Sequence, residues 1–250
     1  MTLNEANQIA LTPVAFIRSC YTQRFGIPRQ AGLVPAASAQ IVMQKTPDNQ
    51  LSLKGLEDFS HLWVLFVFHS DRYTKSKPLV WPPRLGGKKK MGVFATRSPN
   101  RPNPVGLSAV VLDSITHTKN EILIHITGGD FLDGTPVLDI KPYIAFADSI
   151  PDATSTWVAP IDDVMTVSWT EAALGGLEES RFEPGADTEK LKQLINQTIA
   201  LDPRPAHERH KDGQTDQQWH MRLYDLNVSW GVINSTAVIT QVKPYAHPET

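Results

Sequence analysis

Cysteine, long apolar runs and the common enzyme signatures are scarce or missing in this sequence. Its one cysteine, Cys20, cannot form a disulfide within the chain and is typical of a protein from a reducing cytoplasm. The longest apolar run, Leu62 to Phe68, is far below the ~18 residues of a membrane-spanning helix. No basic stretch followed by an apolar one opens the chain, so we expect no secretion signal. These absences predict a soluble cytoplasmic protein without membrane association.

The missing motifs also narrow the enzyme classes. The chain has no G-x-G-x-x-G after a strand, no G-x-x-x-x-G-K-[ST], no H-E-x-x-H and no C-x-x-C. Common nucleotide-binding folds and zinc hydrolases therefore lose support, and we expect no metal.

Charge is divided unequally along the chain. Residues 1–110 carry 14 Lys and Arg against 5 Asp and Glu, a net charge of +9, whereas residues 111–250 carry 10 against 21, a net charge of −11. A lysine run such as 88–90 is by itself typical of a solvated turn. A bias that extends over 110 residues instead favours a polyanionic partner, either a nucleic acid or a phosphorylated ligand.

The first 150 residues have the pattern of a β domain. Short β-branched and aromatic runs, separated by Gly, Pro, Asn and Asp, predict strands with little room for helices between them. A barrel or sandwich is therefore favoured over a doubly wound sheet, which needs long helical crossovers. The predicted strands are Ile9–Ser19, Ala39–Lys45, Leu62–His69, Leu107–Thr116, Glu121–Thr127 and Val137–Phe146.

The pattern changes after about Ser149, and residues 160–250 are predicted to form a smaller α+β domain. Thr188 to Ala200 has one apolar stripe and predicts a helix, capped by Asp187 or Thr188. Trp219 to Val232 alternates and then shifts phase, which favours a bulged strand. Val238 to Val242 would pair with it as the last hairpin.

The segment from Met91 to Leu107 is the most informative stretch, with two arginines, two asparagines, three prolines and two glycines. Proline fixes φ and pushes the preceding residue out of the α region, so we expect Ser98, Arg101 and Asn103 to be extended and the segment to be neither helix nor sheet ladder. A stiff loop that carries guanidinium groups binds carboxylate or phosphate at low entropic cost. The alternative is a solvated surface loop.

Three further polar clusters lie at predicted strand or helix ends. Pro28-Arg29-Gln30 is a proline-stiffened turn, and Asp133-Gly134-Thr135-Pro136 has an Asp-Gly turn signal beside Asp130 and Asp139. Asp202-Pro203-Arg204-Pro205 follows the predicted helix and again holds an arginine between prolines. Each cluster is either a turn or part of a ligand site.

Long motifs in this order resemble the TrmO (TsaA-like) family of tRNA methyltransferases. The resemblance extends over nearly the whole chain and rests on Gly92 to Ser98, Arg101 to Pro104 and Asp133 to Tyr143, with support from Pro28 to Gln30, Leu62 to His69, Pro82 to Gly87 and Asp202 to Pro205. It implies a β-barrel that binds S-adenosylmethionine, N6 methylation of threonylcarbamoyladenosine beside the tRNA anticodon, and a homodimer with the cofactor near its interface.

Site residues follow from the resemblance position by position. The cofactor site would comprise Pro28, Arg29, Gln30, His69, Ser70, Arg97, Leu107, Asp133, Gly134, Thr135 and Pro136. The tRNA side is a separate hypothesis from charge and loop position, and it comprises Arg101, Asn103, Lys88, Lys89, Lys90, Arg204 and His207. The family commonly has glutamine in place of Ser70 and tyrosine in place of His207, which affects a cofactor contact and a stacking contact, respectively.

Methyl transfer needs neither a metal nor a covalent nucleophile, because it is an in-line displacement that depends on alignment and exclusion of water. Asp133 is the candidate acceptor for the N6 proton, or else a cofactor ligand. Two other functions stay open: a non-catalytic module that binds tRNA or a nucleotide, and a methyltransferase of a small metabolite.

Overall fold

Two β-sheets, one on each side of residue 150, organise the chain in this computed structural model. The structure describes residues 9–69, 76–82, 85, 89–158, 164–180, 187–205, 208–209 and 217–245. The first sheet is a closed barrel of six strands, the second has four strands, and a two-stranded ribbon stands apart from both. The prediction of a mainly β protein is confirmed.

The barrel is closed by its last strand. Its strand order is β1-β2-β7-β6-β3-β8, and β8 pairs with both β3 and β1. All of these pairings are antiparallel, and the ribbon consists of β4 and β5. The strands are β1 (Ala15–Ser19), β2 (Ser38–Gln44), β3 (His61–Val67), β4 (Leu79–Val80), β5 (Met91–Gly92), β6 (Val105–His117), β7 (Glu121–Thr127) and β8 (Pro136–Pro142).

Alternating side chains build the barrel interior. Ile122, Ile124 and Ile126 on β7 are fully buried, whereas their neighbours on the same strand are only half-buried. They pack against Ile41 and Leu62 in one continuous cluster. The alternation predicted from the sequence is confirmed, because successive side chains of a strand point to opposite faces.

Two predicted strands are too long. The first begins at Ala15 rather than Ile9, and β8 ends at Pro142 rather than Phe146. The residues beyond Pro142 form the short helix α2 (Ala145–Asp148), and α1 (Pro47–Ser52) follows β2. Helix α1 begins where Thr46 accepts a hydrogen bond from the Asn49 amide at 3.1 Å and where Pro47 has no amide proton to satisfy.

The C-terminal part combines two helices with the four-stranded sheet of order β10-β11-β12-β9, in which β12 and β9 are parallel. The predicted helix α4 (Thr188–Ala200) is confirmed, and the Asp187 side chain caps it. Helix α3 (Glu171–Glu179) was not predicted, because Gly175 and Gly176 interrupt its apolar pattern. The strands are β9 (Thr166–Trp169), β10 (Trp219–Leu223), β11 (Leu226–Ile233) and β12 (Thr236–Pro244).

The predicted bulged strand from Trp219 to Val232 is wrong. The phase shift marks a tight hairpin, because Leu223 pairs with Leu226 and the chain reverses at Tyr224 and Asp225. Tyr224 has a φ of 52°, which is the backbone conformation that such a two-residue turn requires. An irregularity in register does occur, but between β11 and β12 at Ser229 and Trp230.

The two sheets share the second hydrophobic cluster. Cys20, Tyr21, Val34 and Ala37 from the N-terminal part are buried with the inner faces of α3, α4 and β10 to β12. The two parts approach each other closely at Gly26, which has a φ of +98°. A Cβ added there would lie 2.6 Å from the sulfur of Met221 in β10. The cores of the two parts are therefore joined, and the C-terminal core is completed by residues from the turn after β1.

Candidate active site at one end of the barrel

A cleft of about 450 Å³ opens where β3 ends and β6 begins. This volume lies in the range of small-molecule sites. Its wall comes from four separate parts of the chain: the turn after β1, the end of β3, the loop before β6 and the turn between β7 and β8. The lining residues are Arg24, Ile27, Pro28, Arg29, Gln30, Trp63, Phe66, Phe68, His69, Arg97, Pro99, Arg101, Val105, Gly106, Leu107, Ser108, Asp130, Leu132 and Thr135.

Aromatic rings form the apolar part of this cleft. The Phe66 ring lies edge-on to Phe68 and to Phe131, with centroids 5.1 and 5.0 Å away. Phe66 pairs with Gly106 on the neighbouring strand β6, where an added Cβ would lie 2.2 Å from the ring. The ring therefore occupies the space that a side chain at position 106 would need, and glycine there is a packing requirement.

Charge in the cleft is strongly one-sided. Four arginines line it, and Asp130 is its one acidic residue within the described ranges. Burial raises the pKa of Asp130, and this effect exceeds the opposing influence of the Ser108 hydroxyl, which donates to Oδ1 at 2.6 Å, and of the Arg97 charge. The cleft thus combines guanidinium groups suited to carboxylates and phosphates with one carboxyl group that is suited to holding a proton.

Gln30 connects two of the predicted cofactor segments. Its side-chain oxygen accepts a hydrogen bond from Arg97, and its side-chain nitrogen donates to the Arg29 carbonyl. Backbone bonding supports the same turn, since the Gly32 amide donates to the Gly128 carbonyl at 2.8 Å. The segments around Arg29 and Arg97, 68 residues apart by number, are therefore held together at one wall of the cleft.

The loop from Met91 to Leu107 is only partly irregular. The prediction that it contains neither helix nor ladder is wrong at its ends: β5 and a 3-10 turn over Val93–Ala95 occupy its start, and β6 begins at Val105. Between them hydroxyl groups close successive turns, as when Thr96 Oγ1 donates to the Val93 carbonyl at 2.8 Å and accepts from the Ser98 amide at 3.2 Å. The proline-rich part is stiffened by these bonds.

The Asp133 to Pro136 turn lies beside β1 at the rim of the cleft. Thr135 lines the cleft, and its hydroxyl donates to the Leu132 carbonyl at 2.6 Å. The Thr135 hydroxyl oxygen lies 3.4 Å from His69 Nδ1, and because this hydroxyl already donates to Leu132 it is an acceptor for an Nδ1 proton. Gly134 is also close to His69, because a Cβ added there would lie 3.9 Å from Nε2.

Asp133, the predicted proton acceptor, is bonded to β1. Its Oδ1 accepts a hydrogen bond from the Ser19 amide at 2.8 Å, and it lies outside the lining of the cleft. Gly134 and Pro136 are likewise not lining residues. The acidic group inside the cleft is Asp130, three residues earlier, because the turn directs Asp133 back along β1.

Comparison with known proteins agrees with this architecture. The chain matches the tRNA-methyltransferase O N-terminal domain over residues 16–149 and the TrmO C-terminal domain over residues 162–245. It is 40% identical to the tRNA (adenine(37)-N6)-methyltransferase of Escherichia coli K12, over 92% of this chain and 96% of that protein. The chain belongs to the tRNA-methyltransferase O family. The family predicted from the sequence motifs is thereby confirmed.

Two further proteins resemble this member of the tRNA-methyltransferase O family in sequence or in structure. A Pseudomonas aeruginosa protein named putative S-adenosylmethionine-dependent methyltransferase RcsF is 39% identical over 88% of this chain and 91% of its own length. The crystal structure of TrmO from Pseudomonas aeruginosa superposes with a TM-score of 0.74 at 33% identity, covering 94% of this chain and 98% of that one.

The predicted tRNA-side residues of this family member are scattered. Arg101 lines the cleft, but its guanidinium turns back toward the Thr96 carbonyl at 3.4 Å. Asn103 is exposed on the same loop without lining the cleft, and Lys89 and Lys90 are exposed beside the ribbon. Ser70, Lys88 and His207 lie outside the described residues.

Arg204, which was predicted to contact tRNA, is buried in the structure. Its side chain is only 5% exposed, and it donates to both carboxylate oxygens of Asp202 at 2.7 and 3.0 Å. Asp202 also approaches Arg209, and it has a φ of 48° directly after α4. The Asp-Pro-Arg-Pro segment thus stabilises the end of the helix.

Sequence reasoning missed Asp130, Ser108, Arg24 and the aromatic lining of the cleft. Ser108 and Phe66 lie inside apolar strands, where nothing separates a cleft residue from a core residue. Asp130 was noticed only as part of a turn signal, although it follows Gly128-Gly129 directly after β7.

Within the described ranges, no group of three or more His, Cys, Asp or Glu side chains is arranged to hold a metal ion. Nor does any helix in these ranges have the length and apolarity to cross a bilayer.

Proposed function

We propose that this protein transfers the methyl group of S-adenosylmethionine to N6 of threonylcarbamoyladenosine at position 37 of tRNA. Family membership and the names of the Escherichia coli and Pseudomonas aeruginosa relatives support the reaction class and the cofactor. The observation that carries the finer proposal is the cleft, in which four arginines and aromatic rings surround one carboxyl group. A threonylcarbamoyl group ends in a carboxylate, which guanidinium groups bind well.

The lining of the cleft fits the proposed cofactor. S-adenosylmethionine, when bound, supplies a methyl group activated by a sulfonium centre. Phe66, Phe68 and Leu107 offer an apolar surface, and Arg29 and Arg97 offer donors for a carboxylate at the opposite wall. Gln30 orients Arg97 through its hydrogen bond, and the apolar rings exclude water from the reacting atoms. Correct alignment of two reactants accounts for about 7–11 kcal/mol of a barrier.

Asp130 is the proposed acceptor of the N6 proton. Loss of that proton accompanies attack by nitrogen, since the methylated product is neutral. Asp130 lines the cleft, and its pKa is raised by burial, which favours the protonated form that follows acceptance. The Ser108 hydroxyl holds Oδ1 in place at 2.6 Å.

We also propose two domains, residues 1–150 and 160–250, and a cytoplasmic homodimer. The two sheets support the division, although the shared cluster around Tyr21 joins the two parts. The exposed rim of the cleft at Leu107 and Gly134 supports a covering second copy. Sedimentation of the purified protein tests the dimer, and a single monomeric species would contradict it.

Labelled S-adenosylmethionine tests the reaction. The protein is incubated with tRNA that carries or lacks the threonylcarbamoyl group, and digested nucleosides are analysed by mass spectrometry for methylation at N6. Label only in the modified tRNA supports the proposal. Label in neither tRNA contradicts it, and binding of tRNA without transfer favours a non-catalytic module.

Two neighbouring carboxylates give a matched test of the proton acceptor. Asp130→Asn should lower kcat by about 10²–10⁴-fold with little change in the Kd of S-adenosylmethionine. Asp133→Asn should leave kcat within about threefold, because Asp133 faces Ser19 and not the cleft. The reverse pattern would restore Asp133 as the acceptor.

A further inference from the structure

The ribbon of β4 and β5 carries an exposed face that neither sheet covers. Leu79 pairs with Gly92 and Val80 with Met91, which brings Trp81 beside Lys90. Val80 is buried, whereas Leu79 and Trp81 are each 52% exposed. Leu79 and Trp81, on either side of the buried Val80 in the chain, therefore present exposed apolar side chains at the ribbon.

The space beside Leu79 is open. Gly92 lies opposite Leu79, and a Cβ added at Gly92 would meet nothing within 4 Å. Lys90 lies over the indole of Trp81, with its Nζ 5.0 Å from the ring centroid. An exposed cation–π contact of this kind is weak, so an incoming planar group can displace the lysine at small cost.

The charge of the surrounding chain selects the partner. Residues 72–112 contain nine Lys and Arg and no Asp or Glu. A symmetric contact with a second copy through the ribbon, as distinct from the rim at Leu107, would bring Lys89 and Lys90 of the two copies together, and their like charges would repel. A polyanion is attracted by the same segment.

The ribbon is joined by hydrogen bonds to the loop of the candidate active site. The Val93 amide donates to the Pro78 carbonyl, and the Lys77 amide donates to the Asn100 carbonyl, each at 3.0 Å. That loop carries Arg97 and Arg101 into the cleft. A strand of RNA whose adenosine enters the cleft therefore has the ribbon at its side.

We propose that Trp81 is a stacking platform for an unpaired base of the tRNA, and that Lys90 contacts the adjoining phosphate. The inference rests on the proposed tRNA substrate. Stacking on an aromatic ring accepts any base, because every base has a π face, and an exposed lysine adds the backbone contact. The ribbon thus holds a neighbouring nucleotide of the anticodon loop while the cleft holds the reacting one.

Three variants test the platform in the full-length protein. Trp81→Ala should raise the Kd and the KM for threonylcarbamoyl-modified tRNA by roughly 5- to 150-fold. Trp81→Phe, which keeps an aromatic face, should stay within about threefold of wild type. Phe146→Ala is the matched control, since Phe146 is 93% exposed on α2, away from the ribbon in the chain, and it should leave both constants unchanged. The Kd of S-adenosylmethionine should be the same in all four proteins.

Lys90→Gln supplies an independent readout. Removal of one phosphate contact should reduce the slope of log Kd against log salt by about one, with a uniform loss across tRNA sequences. An unchanged tRNA Kd in Trp81→Ala overturns the proposal. A Trp81→Ala protein that is monomeric where the wild type is dimeric, but binds tRNA with an unchanged Kd, also overturns it. Trp81 would then contact the second copy of the chain rather than tRNA.

Failure of the proposed reaction has a different signature. If wild type binds tRNA but transfers no methyl group, the reaction is wrong, and the effect of Trp81→Ala on the Kd still decides the platform. If wild type methylates tRNA and Trp81→Ala does so with the same KM, only the platform fails. Near-ultraviolet circular dichroism checks that each variant is folded.

Discussion

The Ser108 hydroxyl donates a 2.6 Å hydrogen bond to Oδ1 of Asp130, which joins β6 to the turn after β7 inside the cleft. The two residues are 22 positions apart, and barrel pairing alone brings them together. The bond partly offsets the desolvation of a carboxyl group whose pKa is nevertheless raised by burial. The pair therefore links the architecture of the barrel to the proton chemistry of the cleft.

Asp130→Asn should change how stability depends on pH. The folded pKa of Asp130 lies above the ordinary value of 3.8, so between these two values the folded state holds more protons than the unfolded state. Asp130 therefore contributes most stability below pH 3.8 and loses that contribution as pH rises through the folded pKa. Urea unfolding of wild type and Asp130→Asn over a pH series measures this difference in free energy of unfolding.

A wild type that became more stable relative to Asp130→Asn as pH rises would contradict this prediction, because a buried carboxyl group with a raised pKa destabilises the folded protein as it ionises. Ser108→Ala serves as the companion variant. The Ser108 hydrogen bond lowers the pKa of Asp130, so its loss should raise that pKa further and move the decline in stability to higher pH.

Gly106→Ala should damage both stability and cofactor binding. The new methyl group would lie 2.2 Å from the Phe66 ring, which must then move into the cleft. We expect a loss of about 1–3 kcal/mol in the free energy of unfolding and weaker binding of S-adenosylmethionine by calorimetry. Adding Phe66→Leu to Gly106→Ala should recover part of the stability.

Gly175→Ala is the control for the same substitution in open space. An added Cβ at Gly175, in α3, meets nothing within 4 Å, so alanine should stabilise the helix by about 0.5–1 kcal/mol. Equal destabilisation by both variants would show that crowding against Phe66 is not the cause.

Arg97→Lys should weaken cofactor binding although it keeps the charge. Lysine lacks the planar guanidinium group that donates to Gln30 and can bind a carboxylate through two hydrogen bonds. We therefore expect the Kd for S-adenosylmethionine to be roughly tenfold higher. Gln30→Ala should have a smaller effect, and the double variant should cost less than the sum of the two, since both remove the same contact. Additive losses would indicate that the residues act separately.

Asp202→Asn should destabilise the protein rather than weaken RNA binding directly. It removes the charge that pairs with the buried Arg204, and loss of one partner of such a pair costs about 3–5 kcal/mol. Asparagine tolerates the positive φ at this position, so backbone strain is not introduced. Denaturant unfolding gives the stability, and the tRNA Kd is measured on folded protein. Unchanged stability with a raised Kd would place Arg204 on the RNA side after all.

Much of the fold was readable from local pattern. Helix α4 was predicted with its observed bounds because its apolar stripe and the Asp187 cap are signals within a few residues of each other. Strand β7 was likewise predicted with its observed bounds, from alternation alone. The hairpin at Tyr224 was misread, because a phase shift looks the same for a bulge and for a two-residue turn that uses no glycine.

The family and its motifs followed from residue identity, since chemistry and order along the chain are properties of the sequence. The presence of Asp130 rather than Asp133 in the cleft lining, the burial of Arg204 and the exposure of Trp81 did not follow. Each depends on which way a side chain points and on what the fold places around it. For Asp130 the barrel decides this, because pairing of its strands brings Ser108 and Asp130 together from positions 22 residues apart. Local periodicity carries no information about those partners, which is why the cleft and the ribbon emerged only from the folded molecule.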